Sequence, residues 1–399
     1  MLSVWVTYSS TAALTPTTVA LGNFDGLHLG HQQVVLPILN RAQMLAPMLI
    51  PPQESVRSSP DLDEGLGPMW ELARPLSRTF HDDRLAISPP VAEVNYKGYK
   101  SDRLEPACAT VVTFSPHPQE FFSGKPRKML TPLREKIALL RSMGVEQLVL
   151  LPFNKELAAL TPKQFVEQIL VRQLEATRIS VGLDFCFGRG RTGTAKDLAA
   201  IAATYGIDVT LVPLYTYAGE RISSSAIRDA LQNGNLQKAN QLLGRPYSVG
   251  GVVIEGQKIG RTIGFPTANL QLPPEKFLPR FGVYAVRVTL EEETEEEASG
   301  AGKFKLRPKT INLTPKSFNP PILGVMNIGC RPTVEGVSPT VEVHLLDYSG
   351  DLYGKTLNVS LENFLRPEQK FPSLEALKAQ IQSDCAFARK LLYSNPQGD

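Results

Sequence analysis

"TTVALGNFDGLHLGHQQVVLPILN", residues 17–40, decides the reading of the chain. Thr17 to Leu21 is apolar and β-prone, and the residues after His31 carry apolar side chains at helical spacing, so the stretch predicts strand, turn, helix. The turn between them holds three glycines and two of the chain's five histidines. Such a turn aims free backbone N–H groups at whatever lies above it, and the helix N-terminus adds roughly half a positive charge, which favours phosphate. Pro37 sits inside the helical pattern, where an interior proline costs about 3 kcal/mol and kinks the axis. The first turn, ahead of Pro37, is expected to survive.

Working outward, strand-like runs recur at 17–22, 108–114, 147–153, 178–187 and 208–215, separated by helical patterns. That alternation predicts an α/β domain: an open parallel sheet with helices on both faces. One helix opens "TPKQ", where Thr161 can cap, Pro162 suits the first helical position and Gln164 can close a capping box. Past Gly244 to Tyr247 the pattern changes. Runs at 248–255, 282–290, 321–328, 340–346 and 356–364 follow one another without crossover helices, which predicts a small antiparallel β-barrel, closed by a terminal helix near 373–393. The expected domains are 1–245 and 246–399. Two insertions interrupt them: the proline-rich 47–106 and the charged 291–320, both read as solvated, mobile loops without chemistry.

Composition narrows the class. With 399 residues, 42% hydrophobic and 20% charged, the chain can bury ample core. A net charge of +3 is too mild to argue for nucleic acid or a membrane surface, although it suits an anionic small substrate. Cys108, Cys186, Cys330 and Cys385 lie far apart, without the spacing of a disulfide framework or a zinc knuckle, which fits a reducing cytoplasm. No run approaches the length of about 18 apolar residues that a membrane span needs, and the N-terminus does not read as a signal.

Within the first half, several fragments meet at the carboxyl edge of the sheet, where open α/β sheets bind ligands. His28 and His31 could donate to a phosphorus centre whose oxygens gain charge, or form a capping pair, or supply half of a metal site. "TFSPHP" (113–118) places His117 at the end of the next strand. "GLDFCFGRGRTG" (182–193) leaves a strand through Asp184 and Phe185 into a glycine-arginine loop that could hold a flat ring and a phosphate chain. "ISSSAIRDAL" (222–231) starts a helix on three hydroxyls, with Arg228 one turn in as a phosphate clamp, although a serine cluster there also serves simply as a cap.

Together with "FNKELAALTPKQF" (153–165), these fragments resemble the nucleotidyltransferase half of the prokaryotic bifunctional riboflavin kinase/FMN adenylyltransferases, and the resemblance covers nearly all the chain outside the insertions. It implies a Rossmann-like N-terminal domain in which His28 and His31 bind ATP phosphates and stabilise the transition state of adenylyl transfer. It further implies that Ser223, Ser224, Ser225 and Arg228 form a second phosphate-binding motif, Arg228 counting as catalytic. His117, Asn154, Asp184 and Phe185 would line the flavin and nucleotide pockets, joined by Gly22, Phe24, Asp25, Gly26 and Gly30 of the turn. Ser225 stands where many relatives have threonine, which keeps the hydroxyl.

The second half carries "GQKIGRTIGFPTANL" (256–270), a glycine-rich loop with Gly260 and Arg261. Thr267 and Asn269 are oxygen donors two apart, able to point to one side of an extended segment and to suit Mg²⁺, though a turn with a hydrogen-bonded Asn reads equally from the residues. On the strand "TVEVHLLD" (340–347), Glu342 and His344 share a face. A strand carboxylate there can be a solvated cross-strand partner. In the riboflavin kinases the PTAN segment binds Mg-ATP with the glycine-rich loop, and the matching glutamate, here Glu342, deprotonates the ribityl hydroxyl. His344 is read as structural.

The expected enzyme phosphorylates riboflavin with ATP to FMN, then adenylylates FMN to FAD with release of pyrophosphate, using Mg²⁺ with ATP. The alternatives on the same folds are a single-activity enzyme and a flavin-binding regulator without turnover.

Overall fold

The computed structural model describes residues 4–39, 107–256, 259–293, 309–311, 313–314, 320–333 and 336–393. The expected insertion at 47–106 lies outside the described residues, as does most of that at 291–320.

Six parallel strands form the N-terminal sheet: β1 (Val4–Thr7), β2 (Thr17–Leu21), β3 (Cys108–Ser115), β4 (Gln147–Pro152), β5 (Ala176–Gly182) and β6 (Asp208–Val212), in the order β1-β4-β3-β2-β5-β6. Strands buried on both faces need apolar residues in succession, and β2 shows it. Val19 and Leu21 enter one core with Val112, Phe165 and Leu198, while Ala20 enters the other with Val35, Val111 and Ile137. The chain leaves β2 and then β5 in opposite directions along the sheet, so β2 lies at the switch point, where a crevice opens above the strand ends. A three-residue strand, Lys309–Ile311, pairs antiparallel with the outer edge of β1.

Local readings fare differently. Thr161 and Gln164 form the expected capping box on the helix that begins Pro162–Phe165. The run 178–187 is not one strand: β5 stops at Gly182, a turn follows, and Cys186–Phe187 pairs instead with Gly193–Thr194. Pro213, which has no N–H to give a ladder, ends β6 at Val212 rather than 215. Helix α1 (Leu29–Val35) does not kink at Pro37; it stops and passes into a 3₁₀ turn, Leu36–Ile38, that accommodates the proline.

The α/β half ends with two helices, Ser224–Gln232 and Leu236–Leu243, the second closed by Gly244 in the left-handed conformation (φ 72°). A six-stranded antiparallel barrel follows: β7 (Tyr247–Ile254), β8 (Ala268–Gln271), β9 (Gly282–Glu293), β10 (Ile322–Thr333), β11 (Gly336–Leu345) and β12 (Thr356–Pro367). Its order is β9-β10-β11-β8-β7-β12, and the β9–β12 ladder closes it. The terminal helix Leu374–Tyr393 lays Cys385, Ala388 and Leu392 on Val283, Ala285 and Val325 outside the barrel. Inside, Tyr284, Met326, Val343 and Val359 share one core with Ile227, Leu231 and Leu243 of the preceding helices, so the barrel and the α/β half are packed on each other.

Candidate functional site

Above the ends of β2, β3 and β5 lies a cavity of about 1030 Å³. Gly22, Phe24, Asp25, His28, Gly30, His31, His117, Asp184, Phe185 and Ser223 to Ser225 all line it, so the fragments read separately from the sequence converge on one space.

The turn that opens the cavity is held from several directions. Asp25 Oδ1 accepts from the backbone N–H groups of Leu130 (2.8 Å) and Thr131 (3.3 Å), and its Oδ2 pairs with Arg228 Nη2 at 2.5 Å. Ser224 Oγ donates to the Asp25 carbonyl (2.7 Å), and the Gly26 N–H donates to Thr131 Oγ1 (3.0 Å). Arg245 donates to the carbonyls of Gly26 (2.7 Å) and Leu27 (3.0 Å). This bracing sustains positive φ at Phe24 (47°) and Leu27 (42°), conformations that non-glycine residues seldom adopt unaided.

His28 is the N-cap of α1. Its Nδ1 accepts from the His31 backbone N–H (3.2 Å), and the two imidazoles stack with centroids 3.7 Å apart. His117 does the same for the helix Pro118–Ser123, accepting from the Gln119 N–H (3.1 Å). A ring nitrogen that accepts is unprotonated, so neutral His28 and His117 carry their proton on Nε2, free to donate. Burial, reinforced by Arg245, pushes His28 down to about 4; burial, reinforced by Arg127, does the same for His117. His31 is held well below the ordinary range, by burial first and His28 second, and its Nδ1 is buried with no hydrogen-bond partner.

Some expected residues are engaged elsewhere. Asn154 caps the helix Lys155–Ala159 by accepting from the Leu157 N–H (2.8 Å), and neither it nor Gly26 nor Arg228 lines the cavity. Asp184 pairs with Arg221 at the cavity wall. Ser223 caps its helix, leaving Ser225 exposed. Asn23, within the turn, takes part through its backbone rather than its side chain: its carbonyl accepts from Thr113 Oγ1 (3.0 Å) and from the buried Lys136 ammonium (3.2 Å). Burial lowers Lys136 to about 8. Arg127 lines the cavity, and neither it nor Lys136 belongs to a local motif that marks it in the sequence.

The barrel gathers the second set. Asn269 on β8 stands opposite Glu342 on β11, which in turn stands opposite Asn327 on β10. Gly256 leaves the space that the Asn269 side chain fills, since a Cβ there would overlap it. Gly260, in the single helical turn Ile259–Thr262, lies against the Phe265 carbonyl, with Thr267 Oγ1 3.4 Å from where its Cβ would be; Arg261, beside it, is exposed. His344 Nδ1 meets the Pro266 carbonyl at 2.8 Å, so it donates there and anchors the segment before Thr267.

Comparison with known proteins fits both sites. The riboflavin kinase family model matches residues 243–392, and the FAD synthetase model matches 10–50 and 97–226, passing over 51–96. The bifunctional riboflavin kinase/FMN adenylyltransferase of Escherichia coli K12 is 41% identical over 281 residues, 70% of this chain and 81% of its own length. That of Haemophilus influenzae is 32% identical over 97% of this chain and 98% of its own. The chain belongs to the bifunctional riboflavin kinase/FMN adenylyltransferase family. It is a transferase that phosphorylates riboflavin to FMN and adenylylates FMN to FAD. The homologue from Bacillus subtilis is 36% identical over 69% of this chain. A crystal structure described as a macrolide-efflux protein from Streptococcus pneumoniae shares the fold of this family member, with TM-score 0.65, 25% identity and coverage of 96% and 98% of the two chains. Among the described residues no helix is long and apolar enough to cross a membrane.

Proposed function

We propose that the two reactions are divided between the two sites, adenylyl transfer in the α/β cavity and phosphoryl transfer on the barrel, with the residue roles that follow. The observation that carries the division is spatial: His28, His31, Asp25 and the Ser223 to Ser225 helix start meet around the cavity, whereas Asn269 and Glu342 stand opposite each other on adjacent barrel strands, with Thr267 just before the first of them.

In the cavity an FMN phosphate oxygen attacks the α-phosphorus of ATP and pyrophosphate leaves. Charge grows on the phosphate oxygens, and donors fixed beforehand stabilise it without reorganising. His28 supplies such a donor at Nε2, because its Nδ1 is committed to the helix and burial keeps the ring neutral. His31, stacked on it, lines the same cavity, and its buried Nδ1 lacks a protein partner. Ser225, exposed on the first turn of its helix, and Arg228 behind it offer the remaining phosphate contacts. The open lip with His117, Phe185 and Asp184 is the place for the flavin.

On the barrel, Glu342 accepts the proton of the ribityl hydroxyl as that oxygen attacks the γ-phosphorus and ADP leaves. Gly260 and Arg261 border the phosphate chain, and Thr267 Oγ1 with Asn269 Oδ1 would hold Mg²⁺. A hydroxyl and an amide oxygen are hard, neutral donors that suit this ion, and the bare Gly260 and Gly256 leave room for the Thr267 and Asn269 side chains. When bound with ATP, the ion neutralises phosphate charge. Following FMN and FAD over time from riboflavin and ATP, in the variant with His28 and His31 both changed to Ala and in Glu342→Gln, tests the reading. FMN should accumulate in the first and neither product form in the second, and equal loss of both reactions in either folded variant would overturn the division.

A further inference from the structure

The adenylyl-transfer cavity belongs to the α/β half, yet the guanidinium placed beside its Asp25 rests on a side chain from the kinase half. Phe277 lies in the segment between β8 and β9, and its ring sits under Arg228, with the guanidinium carbon 4.7 Å from the ring centroid. Around this contact the two halves are joined by main chain. Met129 N–H donates to the Glu275 carbonyl (2.6 Å), and the Phe277 N–H donates to the Met129 carbonyl (2.8 Å). The next residues, Leu130 and Thr131, are those whose N–H groups hold Asp25. Lys276, buried, donates to the Leu130 carbonyl (2.8 Å) and pairs with Glu135 at 2.5 Å, while Tyr247 Oη donates to the Phe277 carbonyl (2.6 Å). Phe277 is therefore held at its backbone from both sides and is only 8% exposed.

Arg228 itself is less completely fixed. One Nη2 serves both Asp25 and the Lys128 carbonyl (2.7 Å), and its buried Nε has no hydrogen-bond partner. Two acceptors on one planar NH₂ group hold that corner in its plane, but the Nε side of the guanidinium has no polar contact to hold it in place. The Phe277 ring supplies a contact of another kind, because the negative quadrupole of an aromatic face attracts a cation placed over it.

We infer that Phe277, from the riboflavin kinase half, is a positioning residue for FMN adenylylation, supporting the guanidinium of Arg228 from its face. The inference rests on the role proposed for Arg228. Phe277 touches no substrate; it acts by keeping the Arg228 donors aimed while Asp25 holds one corner, and so it makes part of the adenylylation site a product of how the two halves meet.

The test uses the full-length protein with Phe277→Leu, Phe277→Tyr, Arg228→Gln and the Leu/Gln double variant, each assayed for both reactions, the slowest under single-turnover conditions. Leucine retains an apolar side chain of similar burial and removes only the ring; tyrosine retains the ring. From the usual strength of a desolvated cation–ring contact, Phe277→Leu should lower kcat/KM for adenylylation about threefold to thirtyfold, in the same parameter, kcat or KM, that Arg228→Gln lowers. Phe277→Tyr should stay near the parent, kinase turnover should be unchanged as an internal control on folding, and Phe277→Leu should cost nothing further once Arg228 is Gln. Undiminished adenylylation in folded Phe277→Leu overturns the inference, as do equal losses in Leu and Tyr, a parallel fall in kinase turnover, or losses that multiply in the double variant. Undiminished adenylylation in Arg228→Gln instead removes the role given to Arg228, a result distinct from failure of Phe277 alone.

Discussion

His28 and His117 each direct one ring nitrogen at a helix start and keep the other for donation, and this arrangement makes them neutral donors rather than cations. Of the alternatives open for the histidine pair in the sequence, capping and phosphate donation prove compatible, because an imidazole has two differently committed nitrogens. A pH dependence follows with a definite sign. Both rings titrate near 4 in the folded chain against 6.5 ordinarily, so below about 6.5 the unfolded chain takes up protons that the folded one refuses. Their contribution to stability is complete above about 6.5 and is lost as pH falls toward 4. Thermal unfolding should show the midpoint dropping across that window, and His28→Asn, which keeps a capping side chain, should flatten part of the drop; an equal slope in both proteins would mean that His28 titrates normally. Adenylylation should correspondingly show no inflection at 6.5.

Elements whose logic is local were legible in the sequence. The letters of "TPKQ" specify a capping box, the apolar run of β2 specifies a strand buried on both faces, and the change of pattern after Gly244 specifies antiparallel pairing. What stayed hidden depends on contacts between remote positions. Arg228 and Asp25 are 203 residues apart, Lys136 reads as the polar side of an amphipathic helix until the turn settles on it, and no local signal announces that β9 closes the barrel against β12. Glycines lie between these cases, since sequence marks them and only structure says what a side chain would strike. At Gly260 a Cβ would run into the backbone carbonyl of Phe265, which cannot rotate away as a side chain could. Gly260→Ala should therefore displace the loop before Thr267 and lower kinase kcat/KM about tenfold to a hundredfold, as small misplacements of a reacting group do. FMN adenylylation measured on the same sample should be unchanged; retained kinase turnover would show that the loop has slack or does not border the phosphates.

At the scale of the whole molecule, the two halves proposed to carry the two reactions are joined through one core. Every site residue lies outside 51–96, the stretch that the FAD synthetase match passes over. Replacing it with a short polar linker should leave both activities within a few-fold of the parent, and loss of adenylylation in a folded deletion protein would assign the segment to the cavity. A sharper test concerns independence of the sites. If His28 and His31 act only on the α-phosphate, changing both to Ala should stop FMN conversion while riboflavin phosphorylation continues, so that FMN accumulates. Glu342 stands between Asn269 and Asn327 on neighbouring strands and is not among the residues lining that cavity, and a glutamine there keeps the shape but cannot take a proton. Removing a general base slows a reaction by about a hundredfold to ten-thousandfold, so Glu342→Gln should lose riboflavin phosphorylation by that factor while supplied FMN still becomes FAD. Normal kinase turnover in Glu342→Gln would take the carboxylate out of the mechanism, and equal loss of both reactions in either folded variant would mean that the shared core transmits damage from one site to the other, making the pair one catalytic unit rather than two.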